Sequence, residues 1–150
     1  STGWDEEYKE PRRILENAGF EITVASFGLD TCRGTLGSMV KPDILLNDVD
    51  AVNFDCVIFV GGAGSSEYFT NPRALSIAKQ AAAPDKILAA ICIAPVTLAN
   101  AGVLRGKKVT AFPSVQKDLE KQGAVYTGEE VEVDGNIITA NGPQSAKEFG

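Results

Sequence analysis

The hydrophobic pattern is dominated by two apolar runs, CVIFV at 56–60 and KILAAI at 86–91. Neither shows the alternation of a half-exposed strand. A continuous apolar run of strand length fits a strand buried on both faces of a parallel sheet. Between the two lies NPRALSIAKQAAA (71–83), whose Asn71 suits an N-cap and whose Pro72 suits the first helical position. Upstream, Trp4, Tyr8, Pro11, Leu15 and Ala18 recur at spacings of four and three, which is one helical face. Pro11 should start the regular part of that helix or kink it, and the glycine of NAG (17–19) should stop it.

EITVASF (21–27) has strand composition, whereas residues 31–49 are interrupted by Gly34, Gly37 and Pro42 and read as short strands and turns. Downstream, APVTLANAG (94–102) predicts a helix ending at Gly102, KKVTAF (107–112) a strand, and SVQKDLEKQG (114–123) a helix capped by Ser114. GEEVEVDGNIITA (128–140) predicts a hairpin turning at Asp134-Gly135. Strands alternating with helices imply a doubly wound α/β fold: a mostly parallel sheet, helices on both faces in three α/β/α layers, and a small β-hairpin.

Composition narrows the function classes. The 150 residues suit a single domain that buries roughly 70% of its unfolded surface. The net charge of −6, with basic clusters only at 12–13 and 105–108, argues against a nucleic-acid partner. No apolar run approaches the ~20 residues of a membrane span and no signal peptide is visible, so no membrane partner and a cytoplasmic location are expected. Three cysteines without paired spacing, Cys32, Cys56 and Cys92, speak against a disulfide scaffold or a zinc site. The chain has no histidine, which removes every Ser-His-Asp or Cys-His triad. Any chemistry must run on cysteine, carboxylates, hydroxyls and backbone dipoles.

Cys92 is the position where such chemistry fits. The strand at 86–91 runs straight into it and a helix follows within a few residues. Ligands of open parallel sheets bind beyond the carboxyl ends of the strands. A residue at a sharp strand-to-helix turn there projects into that crevice as a nucleophile elbow. Free N–H groups at a helix start favour thiolate over thiol. The loop GGAGSS (61–66) ends the neighbouring strand and could bring N–H groups to a ligand oxygen. A buried core thiol remains the plainer alternative. Cys56, inside its apolar run, reads as a packing residue. Cys32, in DTCRGT, reads as an exposed, incidental thiol. The glycine loop lacks the spacing of a nucleotide-binding motif.

The segments PRRILENAGFEITVAS, KPDILLNDVDAVNFDCVIFVGGAG, AAICIAPVTLANAGVLRGKKVTAFP and VDGNIITANGPQSAKEFG, in this order, resemble the ThiJ/PfpI family across essentially the whole chain. This family, the DJ-one/PfpI superfamily, is a branch of the class I glutamine amidotransferase-like fold. The resemblance implies a flavodoxin-like sheet with Cys92 as the elbow cysteine. It implies that Glu7, four residues before Pro11, hydrogen-bonds the thiol. It also implies that Gly62 and the N–H of Ile93 are the oxyanion donors. Without it, Glu7 is one of four acidic residues at a helix start, which the helix dipole explains.

Protease-like members follow the cysteine with histidine, where this chain has Ile93. Other members carry a histidine in the strand-end segment, where this chain has Phe112. Val60 stands where many members have proline. The chain therefore sits closer to the branch of the Parkinson-associated protein than to the Cys-His protease-like branch. For that branch the resemblance implies a cysteine-dependent stress-response protein acting on small reactive carbonyls, glyoxalase- or deglycase-like, as a homodimer and with no metal or organic cofactor. A redox sensor or chaperone whose elbow cysteine is oxidised is the alternative, and an intracellular cysteine peptidase or amidase comes third. The family also leads one to expect a strand before residue 1 and a longer last helix than residues 1–150 contain.

Overall fold

The computed structural model describes residues 4–27, 32–33 and 39–150. In chain order the elements are α1 (Trp4–Asn17), β1 (Ala25–Ser26), β2 (Cys32–Arg33), β3 (Met39–Val40), β4 (Ile44–Leu45), β5 (Cys56–Phe59) and α2 (Pro72–Ala81). Then come β6 (Ile87–Ile91), α3 (Pro95–Asn100), β7 (Lys108–Val109), α4 (Gln116–Lys121), β8 (Val125–Tyr126), β9 (Val131–Asp134), β10 (Ile137–Ala140) and α5 (Ala146–Phe149).

The main sheet has the order β5-β6-β10-β9, with β5, β6 and β10 parallel and β9 antiparallel to β10. Two-stranded ribbons β1-β4 and β7-β8 are also parallel. β6 is central and explains its own sequence. Leu88 and Ala90 face a core shared with Ala74, Ile77 and Ala81 of α2 and with Val96 and Leu98 of α3. Ala89 and Ile91 face the other side, against Ala140, Ala146 and Phe149. α1 lies against α5 on that second side. The apolar runs are thus buried between helical layers, and the doubly wound α/β reading stands.

Several local expectations change. Pro11 lies inside α1, not at its start. The helix ends as expected: Gly19 takes φ +95°, the Gly19 N–H donates to Glu16 O and the Phe20 N–H to Leu15 O, a Schellman stop. Asn71 does cap α2, its Oδ1 accepting from the N–H of Arg73 at 2.9 Å and of Ala74 at 3.0 Å.

The strands expected over 21–27 and 107–112 shrink to two residues each, because ladder partners exist only at β4 and β8. Beyond β7, the Thr110 N–H donates to Thr139 Oγ1 at 3.0 Å instead of to a strand. Ser114 caps nothing, since Pro113 starts a 3₁₀ turn (Pro113–Val115) and α4 begins after it without a side-chain cap. The hairpin turn falls one residue later than expected. Asp134 pairs with Ile137, so the loop is Gly135-Asn136, with Gly135 at φ +61°. The Cys32 side chain lies outside the described set.

Candidate active site

Parallel pairing of Phe59 with Ala90 brings the ends of β5 and β6 side by side. β5 runs on through Val60 into Gly61 and Gly62, and β6 runs into Cys92. Cys92 has φ +65°, the one positive φ among the described non-glycine residues. For an L-residue this conformation costs about 1–2 kcal/mol, so its surroundings must hold it. They do so from both sides. The Cys92 N–H donates to Ala140 O at 2.9 Å, and the Phe112 N–H donates to Cys92 O at 2.8 Å. The chain then turns into α3, whose first residue is Pro95.

The thiol is half-buried, and the backbone N–H groups of Ile93 and Gly62 hydrogen-bond to it. These are the two groups that the family resemblance names as oxyanion donors, and in the structure they meet the sulfur. Gly62 takes φ +95°, a conformation that favours glycine. Within the glycine loop, the Ser65 Oγ and N–H both donate to Gly62 O, at 2.8 and 3.0 Å.

Glu7 arrives from the opposite end of the chain. It lies one helical turn before Pro11 on the buried face of α1, and only 1% of its surface is exposed. Pro11 has no N–H to give the Glu7 carbonyl. The Glu7 carboxyl hydrogen-bonds with the Cys92 thiol and with the backbone N–H of Gly61. Its Oε2 is buried with no hydrogen-bond partner. Neighbouring Glu10 pairs outward with Arg13 at 2.8 Å. A solvated acidic residue is thus the right account of Glu10 and the wrong one for Glu7.

The electrostatics differ from the simple thiolate expectation. Burial pushes the Glu7 carboxyl above its ordinary pKa, opposed by its bonds to Cys92 and Gly61. Burial also pushes the Cys92 thiol up, and an ionised Glu7 adds repulsion and a hydrogen bond to the protonated thiol, taking it to about 12. Only the N–H groups of Ile93 and Gly62 pull it down. Two acidic groups in contact cannot both ionise near neutral pH, so the pair holds at most one negative charge there.

Gly61 was not singled out from sequence, although a glycine pair directly after a buried strand signals close backbone approach. It is buried against both Glu7 and Cys92. Cys56 sits apart on β5, at an apolar cavity of about 140 Å³ beneath α1 and α5, its thiol pushed up by burial and by Asp55. Nothing there activates it. Among the described residues, no helix is long and apolar enough to cross a membrane.

Sheet, elbow and buried carboxylate define an α/β protein with a cysteine at the carboxyl end of its central strand. The chain belongs to the DJ-1/PfpI family, whose sequence profile matches residues 3–150. It is 35% identical to a deglycase of Pyrococcus horikoshii over 139 residues, covering 93% of this chain and 84% of the relative. A protein of Methanocaldococcus jannaschii is 38% identical over 149 residues, 97% of this chain and 73% of its own. The crystal structure of a ThiJ/PfpI domain protein from Brachyspira murdochii superposes with a TM-score of 0.94 at 40% identity, covering 99% of this chain and 86% of that one.

Proposed function

We propose that this protein is a deglycase-type enzyme acting on small reactive carbonyl compounds, with Cys92 as nucleophile and Glu7 as proton carrier. The observation that carries this reading is the contact of a buried carboxyl with the elbow thiol, in a chain that has no histidine to serve instead. Glu7 is far more buried than Cys92, so desolvation favours the neutral carboxylic acid over the thiol as holder of the shared proton. With Glu7 protonated, its repulsion of the thiolate disappears and its O–H donates to sulfur. The charge then rests on Cys92, against the N–H groups of Ile93 and Gly62.

The thiolate adds to the aldehyde carbon, forming an S–C bond while the carbonyl π pair moves to oxygen. The Glu7 proton passes to that oxygen and gives a hemithioacetal. The same backbone donors would hold the developing oxyanion. Glu7, now a carboxylate, can accept the next proton released by the adduct. The deglycase name of the Pyrococcus horikoshii relative supports this substrate class.

The same two donors would also hold the oxygens of a sulfinic acid, so oxidation of Cys92 by peroxide is the second reading. Consumption of methylglyoxal by wild type, Cys92→Ala and Glu7→Gln separates the two. Turnover by wild type, lost by about 100-fold or more in Cys92→Ala and reduced in Glu7→Gln, supports the enzyme. Equal rates for wild type and Cys92→Ala would remove it.

A further inference from the structure

The two consecutive glycines at the end of β5 are needed for different reasons. Gly62 has a positive φ, and Gly61 does not. What Gly61 supplies is space. A Cβ on Gly61 would overlap Glu7 Oε2 and would lie 2.6 Å from Cys92 Cβ and 2.9 Å from the Ile91 carbonyl oxygen. Carbon atoms in contact prefer about 3.5–4.0 Å, so no side chain fits without displacing a neighbour.

We infer that Gly61 is a positioning residue: its bare backbone lets the Glu7 carboxyl and the Cys92 side chain meet, and its N–H holds the carboxyl in that place. This rests on the reading of Cys92 and Glu7 as the working pair.

The three neighbours of Gly61 differ in how far they can yield. Ile91 is fixed by its ladder position opposite Ala140, and Cys92 by the bond from its N–H to Ala140 O. Glu7 is held through side-chain torsions, its bond with the Cys92 thiol and the Gly61 N–H itself. A methyl group at position 61 therefore turns the carboxyl away first and leaves Cys92 without it, while also pressing on the Cys92 Cβ and the Ile91 carbonyl, which have less room to yield. The sequence needs the first glycine for the carboxyl and the second for the oxyanion donor, which is why one glycine would not serve.

The test compares alkylation of Cys92 by iodoacetamide across pH in wild type, Gly61→Ala, Glu7→Ala and the double variant. At pH 6 the Gly61→Ala rate should fall about tenfold below wild type, a shift of about one pKa unit. It should match Glu7→Ala within about twofold, and the double variant should be no slower than Glu7→Ala. A second measurement uses unaltered Gly61. Its amide resonance in ¹⁵N-labelled wild type should shift as the pair titrates, and Glu7→Gln should change that profile. The amide result decides if Gly61→Ala does not fold. A folded Gly61→Ala with the wild-type alkylation profile overturns the inference, and so does a Gly61 amide indifferent to Glu7→Gln. Neither readout needs turnover, so absence of carbonyl activity in wild type would strike the proposed function alone.

Discussion

Glu7 on α1 and Cys92 at the end of β6 share one hydrogen-bonded contact, closed on its third side by the backbone of Gly61. A buried carboxyl and a thiol in contact have opposite effects on each other, depending on which holds the proton. An ionised carboxylate suppresses the thiolate, whereas a protonated carboxyl donates to it. The more complete burial of Glu7 favours the second state.

The pair should make stability depend on pH in a defined direction. Burial and mutual repulsion raise both proton-release steps of the pair in the folded state, whichever group gives up its proton first. The folded protein therefore binds their protons more tightly than the unfolded chain, whose Glu and Cys titrate near about 4.3 and about 8.5. Their contribution is full below about pH 4.3 and is lost as pH rises through the raised folded values, with a further loss from about pH 8.5 towards 12. The double variant Glu7→Gln/Cys92→Ser titrates at neither site. Its urea midpoint should gain on wild type as pH rises from 4 to 9, and a constant difference would contradict the shared proton.

The φ of +65° at Cys92 has a separate consequence. Elsewhere glycine in place of alanine destabilises by roughly 0.5–1 kcal/mol, but a Cβ at this φ costs about 1–2 kcal/mol. Cys92→Gly should therefore be more stable than Cys92→Ala by about 1 kcal/mol in urea denaturation. The usual order, with alanine ahead, would show that the elbow is unstrained.

Much of this arrangement was legible in the sequence, and the rest fails for identifiable reasons. The runs at 56–60 and 86–91 announced β5 and β6 because a strand buried on both faces leaves no polar positions. Asn71 announced a helix cap through a local side-chain bond. Cys92 was legible as an elbow because strand and helix signals meet there. Strand lengths at 21–27 and 107–112 were overread, because composition reports willingness to form a strand and not the presence of a partner. Glu7 was hidden among Asp5, Glu6 and Glu10. It lies one turn before Pro11 on the buried face, but only the family resemblance said that a charge there meets a thiol. Gly61 carries no sequence signal that sets it apart from Gly62, since its role depends on Glu7 and Cys92 meeting beside it.

The cysteine peptidase reading meets a chemical obstacle. Peptide cleavage requires protonation of a leaving amine, and no histidine exists in the chain to supply a general acid of near-neutral pKa. No cleavage of unstructured peptides at neutral pH is expected in a fluorogenic assay. Turnover abolished by Cys92→Ala would overturn this.

The central claim, that the pair places its single negative charge on sulfur, is tested most directly by the ultraviolet thiolate absorbance titrated in wild type, with the same titration of Cys92→Ser subtracted from it. With Glu7 protonated and the N–H groups of Ile93 and Gly62 on the sulfur, one thiolate should appear with a midpoint below about pH 7.5 and move upward in Glu7→Leu. A Cys92 that stays a thiol beyond about pH 8.5 in wild type would contradict the account, because the charge would then rest on Glu7.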